Sequence, residues 1–351
     1  MISVSKLEEL RRRYADAALD EAFTPEFREA ATRVFQSGRA QLPPFTGVST
    51  LLDAAYQPEA PQAPDFDGLQ VALIGVPMDL GVTNRAGARL GPRAVRAVER
   101  IGPYNHALKV VPRSCCKVAD VGDVPFRSRF SLDSCIEDIA GFYDVVQATG
   151  VRPLSVGGDH SITFPILRAL GRDRPVGLVH IDAHCDTSGK HEGTKFHHGG
   201  PFRLAVLEGV LDPERTVQIG IRGPAEYLWE FSYESGMTVI HIDDLAHLGI
   251  EGVVRKALEV VGDGPTYISF DVDGLDPTSA PGTGTPETGG LTPREAQQIL
   301  HGLKGVEIIG GDVVEIAPQY DATTNTAMVG AQMLFEIFSL MVMSPGFNRM
   351  A

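Results

Sequence analysis

The segment GLVHIDAHCDT (177–187) joins an apolar run to a group of ionisable side chains. Its apolar part lacks period-two alternation, which predicts a strand buried on both faces of a parallel sheet. Asp182, His184 and Asp186 follow at alternate positions, so their side chains share one side of an extended backbone. Parallel α/β sheets bind ligands beyond the carboxyl ends of their strands. The end of this predicted strand is therefore a candidate functional site.

Further short apolar runs alternate with helical patterns on both sides of this segment. They predict one α/β domain over residues 67–351, with three αβα layers around a mostly parallel sheet of about eight strands. The runs are VALIGVP (71–77), LKVV (108–111) or KVADVGDV (117–124), PLSVGG (153–158), TVQIGI (216–221), TVIHI (238–242), TYISFDVD (266–273) and EIIGGDVVEI (307–316).

Residues 1–66 are predicted to form an N-terminal arm rather than a domain. Apolar side chains fall on one helical face near the start, and Thr24-Pro25 has the residues that favour a second helix start. From Pro43 to Pro64 the composition predicts an extended segment that covers the protein or contacts another subunit. The residues of the first helical face are Leu7, Leu10, Tyr14, Ala17 and Ala18.

Composition and charge exclude several classes of function. The chain has 351 residues with 43 % hydrophobic and 22 % charged residues, which is a globular composition. Its net charge of −14 disfavours nucleic acid and anionic membranes as partners. The apolar run MLFEIFSLMVM (333–343) is too short to span a bilayer, and the N-terminus lacks the apolar core of a signal peptide. Four cysteines do not resemble a disulfide framework, so we expect a cytoplasmic protein.

Two more polar clusters close predicted strands. GGDHS (157–161) contributes His160, and DVDGLDP (271–277) contributes Asp271 and Asp273. Together with the first cluster they would place several carboxylates and two imidazoles in one volume. Such carboxylates cannot all remain ionised without a cation. The oxygen-rich donor set favours Mn²⁺, and the number of ligands predicts a two-metal site that activates water.

In this order, GGDHS, DAHCDT (182–187) and SFDVDGLDP (269–277) resemble the signatures of the ureohydrolases, the arginase and agmatinase family. The resemblance implies an arginase-like fold, two divalent metal ions, and hydroxide attack on a guanidinium carbon to give urea and an amine. It also implies that Asp186 orients the nucleophile and passes its proton to the leaving amine. One ion would be held by His160, Asp182, Asp186 and Asp271, and the other by His184, Asp182, Asp271 and Asp273.

Two further segments match the same family. FHHGGPF (196–202) resembles its His-Gly segment, which implies that His198 shuttles protons, with His197 as the rival assignment. DVVEIAP (312–318) resembles its last strand, so Glu315 would accept hydrogen bonds from the guanidinium group. Neither His180 nor Cys185 matches a family ligand, and Cys185 is predicted to pack in the core. The three arginines of NRAGARLGPR (84–93) are predicted to be structural, with contact to the substrate as the alternative.

The residues after Asp186 favour the agmatinase-like branch. Thr187-Ser188-Gly189-Lys190 replaces the Asn/Thr-rich stretch that follows this position in arginases. The default substrate is agmatine, which would give putrescine. The alternatives are guanidinobutyrate or guanidinopropionate, free guanidine, or an alkylated biguanide, and for the last two Ni²⁺ could replace Mn²⁺. The resemblance also implies a homo-oligomer, a trimer or hexamer, with the arm as the expected contact.

Other classes of function remain as alternatives. A deacetylase on a related fold would need one Zn²⁺ site, and the full set of six ligand positions argues against it. A formiminoglutamase would share those six positions and differ only in its substrate pocket. The chain could also be a partner subunit of a mixed oligomer, which the long arm suggests.

Overall fold

The computed structural model describes residues 2–35, 46–57, 66, 68–98, 101–223 and 225–348. Nine strands within this part of the chain form one sheet. They are β1 (Ala55–Tyr56), β2 (Val71–Val76), β3 (Val118–Asp123), β4 (Arg152–Gly157), β5 (Val176–Ile181), β6 (Leu211–Ile221), β7 (Thr238–His241), β8 (Thr266–Asp271) and β9 (Ile308–Val314). The eight strands expected from the sequence are present. Of the two alternatives for one of them, the run 117–124 and not 108–111 forms a strand, β3.

Every strand pair is parallel, and the strand order is β1-β3-β2-β4-β9-β8-β5-β6-β7. This order brings β4, β9, β8 and β5 together at the centre although they are far apart in sequence. Their carboxyl ends therefore face one region, which is where the polar clusters follow the strands.

Ten α-helices accompany the sheet in the described ranges. They are α1 (Val4–Tyr14), α2 (Pro25–Phe35), α3 (Gly91–Arg96), α4 (Leu132–Thr149), α5 (Thr163–Leu170), α6 (Pro201–Leu207), α7 (Glu230–Ser235), α8 (Leu245–Val261), α9 (Pro293–Gly302) and α10 (Asn325–Met341). Local signals explain several ends: Ser131 caps α4 through Ser134 N, and Thr292 and Glu295 form a capping box at α9. None of these helices has the length and hydropathy needed to traverse a lipid bilayer.

The hydrophobic core lies on both faces of the sheet. One layer packs α3, α8, α9 and α10 against it, and the other packs α4, α5 and α6. Alternate residues of one strand serve the two layers: Leu73 of β2 faces the first, and Ala72 and Ile74 face the second. Burial on both faces accounts for the continuous apolar runs, and the three-layer α/β fold predicted from them is confirmed.

The predicted N-terminal arm is only partly independent of the sheet. The second helix begins at Pro25 as expected, but α1 ends at Tyr14, so Ala17 and Ala18 do not extend its face. No residue of α1 or α2 in the described range 2–35 is buried. Residues 43–45 and 58–64 of the predicted extended segment lie outside the described residues. Between them, β1 pairs with β3, and Leu51 is fully buried in the core.

Candidate metal centre and substrate cavity

The predicted ligand residues meet at the carboxyl ends of the central strands. His160 follows β4, Asp182 and His184 follow β5, and Asp271 and Asp273 lie at and just beyond the end of β8. All of them are buried except His184, which is partly exposed. The sheet order thus assembles the donor set that the three sequence clusters suggested.

His160 faces three carboxylates with one nitrogen. Its Nδ1 lies 2.9 Å from an oxygen of Asp186 and 3.2 Å from oxygens of both Asp182 and Asp271. Nδ1 is buried and has no hydrogen-bond partner among the described residues. A lone pair aimed at three carboxylate oxygens is unfavourable by itself and becomes favourable when a cation lies between them.

The other nitrogen of His160 holds the ring in this orientation. Nε2 lies 2.8 Å from Ser269 Oγ, and that hydroxyl donates to Asp312 Oδ1 at 2.6 Å. The hydroxyl therefore accepts from Nε2–H, so Nδ1 carries the lone pair whenever the imidazole is neutral, as a metal ligand must be. Sequence reasoning assigned no role to Ser269 or Asp312. A signal was available, because Ser269 precedes Asp271 by two residues on the same strand face, and Asp312 is a carboxylate inside an apolar run.

His184 faces a second pair of carboxylates. Its Nδ1 lies 3.3 Å from Asp273 Oδ2 and 3.5 Å from Asp182 Oδ1. Asp182 thus turns one oxygen toward His184 and the other toward His160. A carboxylate that faces two groups with different oxygens has the arrangement of a ligand shared by two ions.

The electrostatics of the cluster require a compensating charge. Burial, with Asp273 and Asp182 close by, raises the pKa of Asp271 well above its usual range. Burial and Asp182 raise the pKa of Asp273 to about 6. Burial opposes ionisation of Asp182 too, but the neighbouring imidazoles, His180 first, hold its pKa well below normal. The carboxylates and imidazoles therefore fit divalent cations with a preference for oxygen and nitrogen donors.

His180 and Cys185 lie beside this cluster in other roles. His180 is within 2.7 Å of Asp182 Oδ2 through Nε2, and its Nδ1 lies 3.0 Å from the side-chain amide of Gln218. Both ring nitrogens are occupied, so His180 orients Asp182. Burial raises the pKa of the Cys185 thiol to about 12, which keeps it protonated and unsuited to a metal. The sequence-based assignment of Cys185 to the core agrees with its burial.

Two of the three candidate catalytic residues line a cavity of about 790 Å³. Asp186 and His198 line it, together with His197, Lys190 and Glu287. Asp186 and Glu315 both have left-handed backbone conformations, with φ of 51° and 65°. Non-glycine residues rarely adopt this conformation, and such strain concentrates at functional sites.

Glu315 lies close to His160 and His198. Its Oε1 accepts from His160 N at 2.8 Å and lies 2.9 Å from His198 Nδ1. Its Oε2 is buried and has no partner within the described residues. Glu315 therefore has one oxygen anchored and one buried oxygen without a hydrogen-bond partner in the described residues.

The two candidate histidines have different surroundings. Nε2 of His198 lies 3.1 Å from Thr83 N and 2.7 Å from Thr83 Oγ1, so it has both a donor and a potential acceptor. His197 lies 2.7 Å from Gly189 O, and burial lowers its pKa. Only His198 of the two contacts Glu315 among the described contacts.

The arginine-containing segment 84–93 is largely tied to the protein. Arg85 donates to the carbonyls of Thr283 and Gly284 and stacks on Tyr320, while also lining the cavity. Arg89 forms an ion pair with the buried Asp79. These contacts agree with the structural role expected for these two arginines.

Comparisons with known proteins point to one family. The sequence model described as the arginase family matches residues 69–339. The chain is 49 % identical to a guanidinopropionase from Pseudomonas aeruginosa, over 87 % of this chain and 95 % of that protein. It is 43 % identical to the mitochondrial agmatinase of Gallus gallus, over 92 % of this chain and 96 % of that protein. The proclavaminate amidino hydrolase from Streptomyces clavuligerus superimposes with a TM-score of 0.81 at 32 % identity, covering 86 % of this chain and 99 % of that one.

Proposed function

The chain belongs to the arginase family, and we propose that its substrate is a small guanidino compound bound between Glu315 and the Asp/His cluster. It is a hydrolase of guanidino C–N bonds, the reaction of its amidinohydrolase relatives, which releases urea and an amine. The observation that carries the substrate site is the free Oε2 of Glu315. A buried carboxylate oxygen without a partner suits a planar guanidinium, whose N–H groups donate in a fork.

The family depends on two metal ions, and we assign their ligands in this chain. His160, Asp182, Asp186 and Asp271 would hold one ion, and His184, Asp182, Asp271 and Asp273 the other. When bound, the ions would supply a water of lowered pKa and offset the charge of the clustered carboxylates. The donor set favours Mn²⁺, although Ni²⁺ accepts the same donors.

The chain's own residues orient the substrate and move protons. Glu315 would hold the guanidinium so that its carbon faces the cluster. Asp186 lines the cavity beside His160, so it can orient the attacking water and carry its proton to the leaving amine. His198 connects Glu315 to Thr83, and Nε2 finds a donor or an acceptor there in either protonation state. We therefore assign the proton shuttle to His198 rather than His197.

Two substrate classes are distinguished by the charge at the far end of the molecule. A guanidino acid such as guanidinopropionate is favoured by Lys190 on the cavity wall and by the relative at 49 % identity. Agmatine, with its second cation, is favoured by Glu287 on the same wall and by the agmatinase at 43 % identity. We place the guanidino acid first, because Glu287 already faces His184 at 3.6 Å.

Urea release from enzyme reconstituted separately with Mn²⁺ and Ni²⁺ tests the substrate. The panel contains 3-guanidinopropionate, 4-guanidinobutyrate, agmatine, arginine, free guanidine and dimethylbiguanide. We expect a guanidino acid to give the highest kcat/KM, and Lys190→Ala to raise its KM without the same effect on agmatine. Preference for agmatine would transfer the assignment to the second class. If enzyme with two bound ions releases no urea from any compound of the panel, the proposal is contradicted, and a formimino substrate or a missing subunit is favoured.

We also propose that the chain forms a homo-oligomer through its N-terminal helices. Helices α1 and α2 bury no residue against their own chain, although α1 carries Leu7 and Leu10 on one face. A chain that starts at Thr46 retains Leu51 and β1 and so should keep the fold. We expect its sedimentation to show fewer subunits per assembly than the full chain has, with urea release retained. If the truncated chain forms an assembly with the same number of subunits as the full chain, the arm is excluded from the interface.

A further inference from the structure

Arg222 lies just past the end of β6 and is directed at a ring of backbone oxygens. Its guanidinium donates to six carbonyls at 2.7–3.3 Å. They belong to Gly220, Asp273, Gly274, Leu275, Glu287 and Thr288. One side chain therefore joins the end of β6 to two loops that are more than fifty residues away in sequence.

The geometry requires arginine in particular. A guanidinium spreads five N–H donors in one plane, whereas an ammonium presents three from a single point. Space at the ring is also limited, since a Cβ added at Gly290 would collide with Arg222 Nη2. Burial lowers the pKa of Arg222, but a guanidinium remains charged at neutral pH.

Each of the loops that Arg222 joins carries a carboxylate that flanks His184. Arg222 Nη2 holds the carbonyl of Asp273 at 2.7 Å, and the Asp273 side chain lies 3.3 Å from His184 Nδ1. The same nitrogen holds the carbonyl of Glu287 at 2.7 Å, and Glu287 Oε1 lies 3.6 Å from His184 Nε2. Arg222 thus fixes the backbone of both carboxylates that flank the His184 ring.

The His160 side has a separate support. There, Ser269 and Asp312 orient the imidazole from inside the sheet, and none of their hydrogen bonds involves Arg222. Asp182 and Asp271 are the ligands assigned to both sides; His180 orients Asp182, and Asp271 accepts a hydrogen bond from Asp273 N at 2.8 Å. The groups that orient His160 and the groups that fix the carboxylates beside His184 therefore lie in different parts of the fold.

We propose that Arg222 is a positioning residue for one metal position, the one formed by His184 and Asp273, and that the position at His160 does not depend on it. The inference rests on the proposed two-metal function. It follows from the six-carbonyl ring, which fixes Asp273 through its backbone. Outer partners of this kind change metal affinity by roughly 10- to 100-fold.

Mn²⁺ titration of the metal-free full chain tests the inference. Bound ions are counted by elemental analysis, and free Mn²⁺ and spin-coupled Mn²⁺ pairs are followed by electron paramagnetic resonance. In Arg222→Lys we expect one Mn²⁺ per chain with wild-type affinity and a second weakened by roughly 10- to 100-fold. The spin-coupled signal should be absent at Mn²⁺ concentrations where the wild type shows it.

The lysine variant separates geometry from charge. It keeps the positive charge near Asp273 and loses the planar set of N–H donors. The proposal therefore predicts that Arg222→Lys and Arg222→Gln both bind the second Mn²⁺ more weakly than the wild type. If the charge were the cause, Lys would restore wild-type binding and Gln would tighten the second ion. That result would overturn the proposal.

Arg215→Lys is the matched control. Arg215 lies on β6, the strand that Arg222 follows, and also donates to backbone carbonyls, those of Val261 and Pro265, away from the cluster. We expect this control to lower thermal stability while both Mn²⁺ ions bind normally. Equal weakening of both ions in Arg222→Lys, unchanged binding of both, or failure of both Arg222 variants to fold would each reject the proposal. A wild type that binds fewer than two Mn²⁺ would instead refute the proposed function.

Discussion

Asp182→Ala is expected to abolish urea release and to remove most of the bound metal. Asp182 turns one oxygen to the His160 side and the other to the His184 side, so one truncation removes a charged ligand from both positions. Outer partners of a metal ligand already account for 10- to 100-fold in affinity, so losing the ligand itself should cost more than about 100-fold at each position. Metal content after dialysis and urea release measure the two effects.

Asp120→Ala controls for the loss of a buried carboxylate. Asp120 lies on β3, is as fully buried as Asp182, and pairs with Arg96 at 2.8 Å away from the cluster. Breaking such a pair costs about 3–5 kcal/mol of stability. This variant should therefore unfold at a lower temperature yet retain both ions. Two tightly bound ions in Asp182→Ala would show that Asp182 is not shared.

Glu315→Gln is expected to reduce kcat/KM by roughly 30- to 5,000-fold. The substitution keeps the shape and removes the charge that would pair with the guanidinium. Truncating one partner of a buried, hydrogen-bonded charge pair costs about 2–5 kcal/mol, and each 1.36 kcal/mol is a tenfold change in rate. Glu336→Gln is the matched control, because Glu336 is equally buried but accepts from Gln297 and His301 outside the cavity. An unchanged kcat/KM in Glu315→Gln would contradict the substrate assignment.

The pH profile of the same variant tests the coupling of Glu315 to His198. Burial opposes protonation of His198, but the carboxylate of Glu315 outweighs it and raises the pKa to about 9. The proton-donating form is therefore present below pH 9 and is lost as the pH rises through that value. In Glu315→Gln this carboxylate no longer offsets burial, and only the weaker effects of Asp186 and Asp159 still raise the pKa of His198, so the alkaline limb of kcat/KM should move from pH 9 toward the ordinary histidine pKa of about 6.5. A limb that stays near pH 9 would assign it to another group.

The sequence was most informative where structure depends on residues that are close together in the chain. Uninterrupted runs such as VALIGVP and GLVHI predicted strands covered on both faces, and the structure has β2 and β5 there. Alternation beyond the strand ends placed Asp182, His184 and Asp186 on one side, and the structure brings them to the same volume. Both inferences depend only on neighbours a few residues apart, so local pattern is sufficient for them.

The shortest strand gave little signal. The strand β1 has two residues in a segment read as an extended arm, and its pairing with β3 depends on Asp120, which accepts a hydrogen bond from Leu51 N. A two-residue strand has no period to detect. The runs 108–111 and 117–124 were alternative predictions for one strand, and the pairing of 118–123 with β2 decides between them.

The chain's local pattern thus specifies which residues form strands and which side chains close them, because alternation and burial act over a few positions. The fold specifies which strand ends become neighbours, and so which side chains support the cluster from behind. His160 meets Ser269 across 109 residues of sequence, and Arg222 meets Asp273 across 51. Such contacts form when strands that are distant in sequence become neighbours in the sheet. The local periodicity of the sequence does not predict which strands become neighbours.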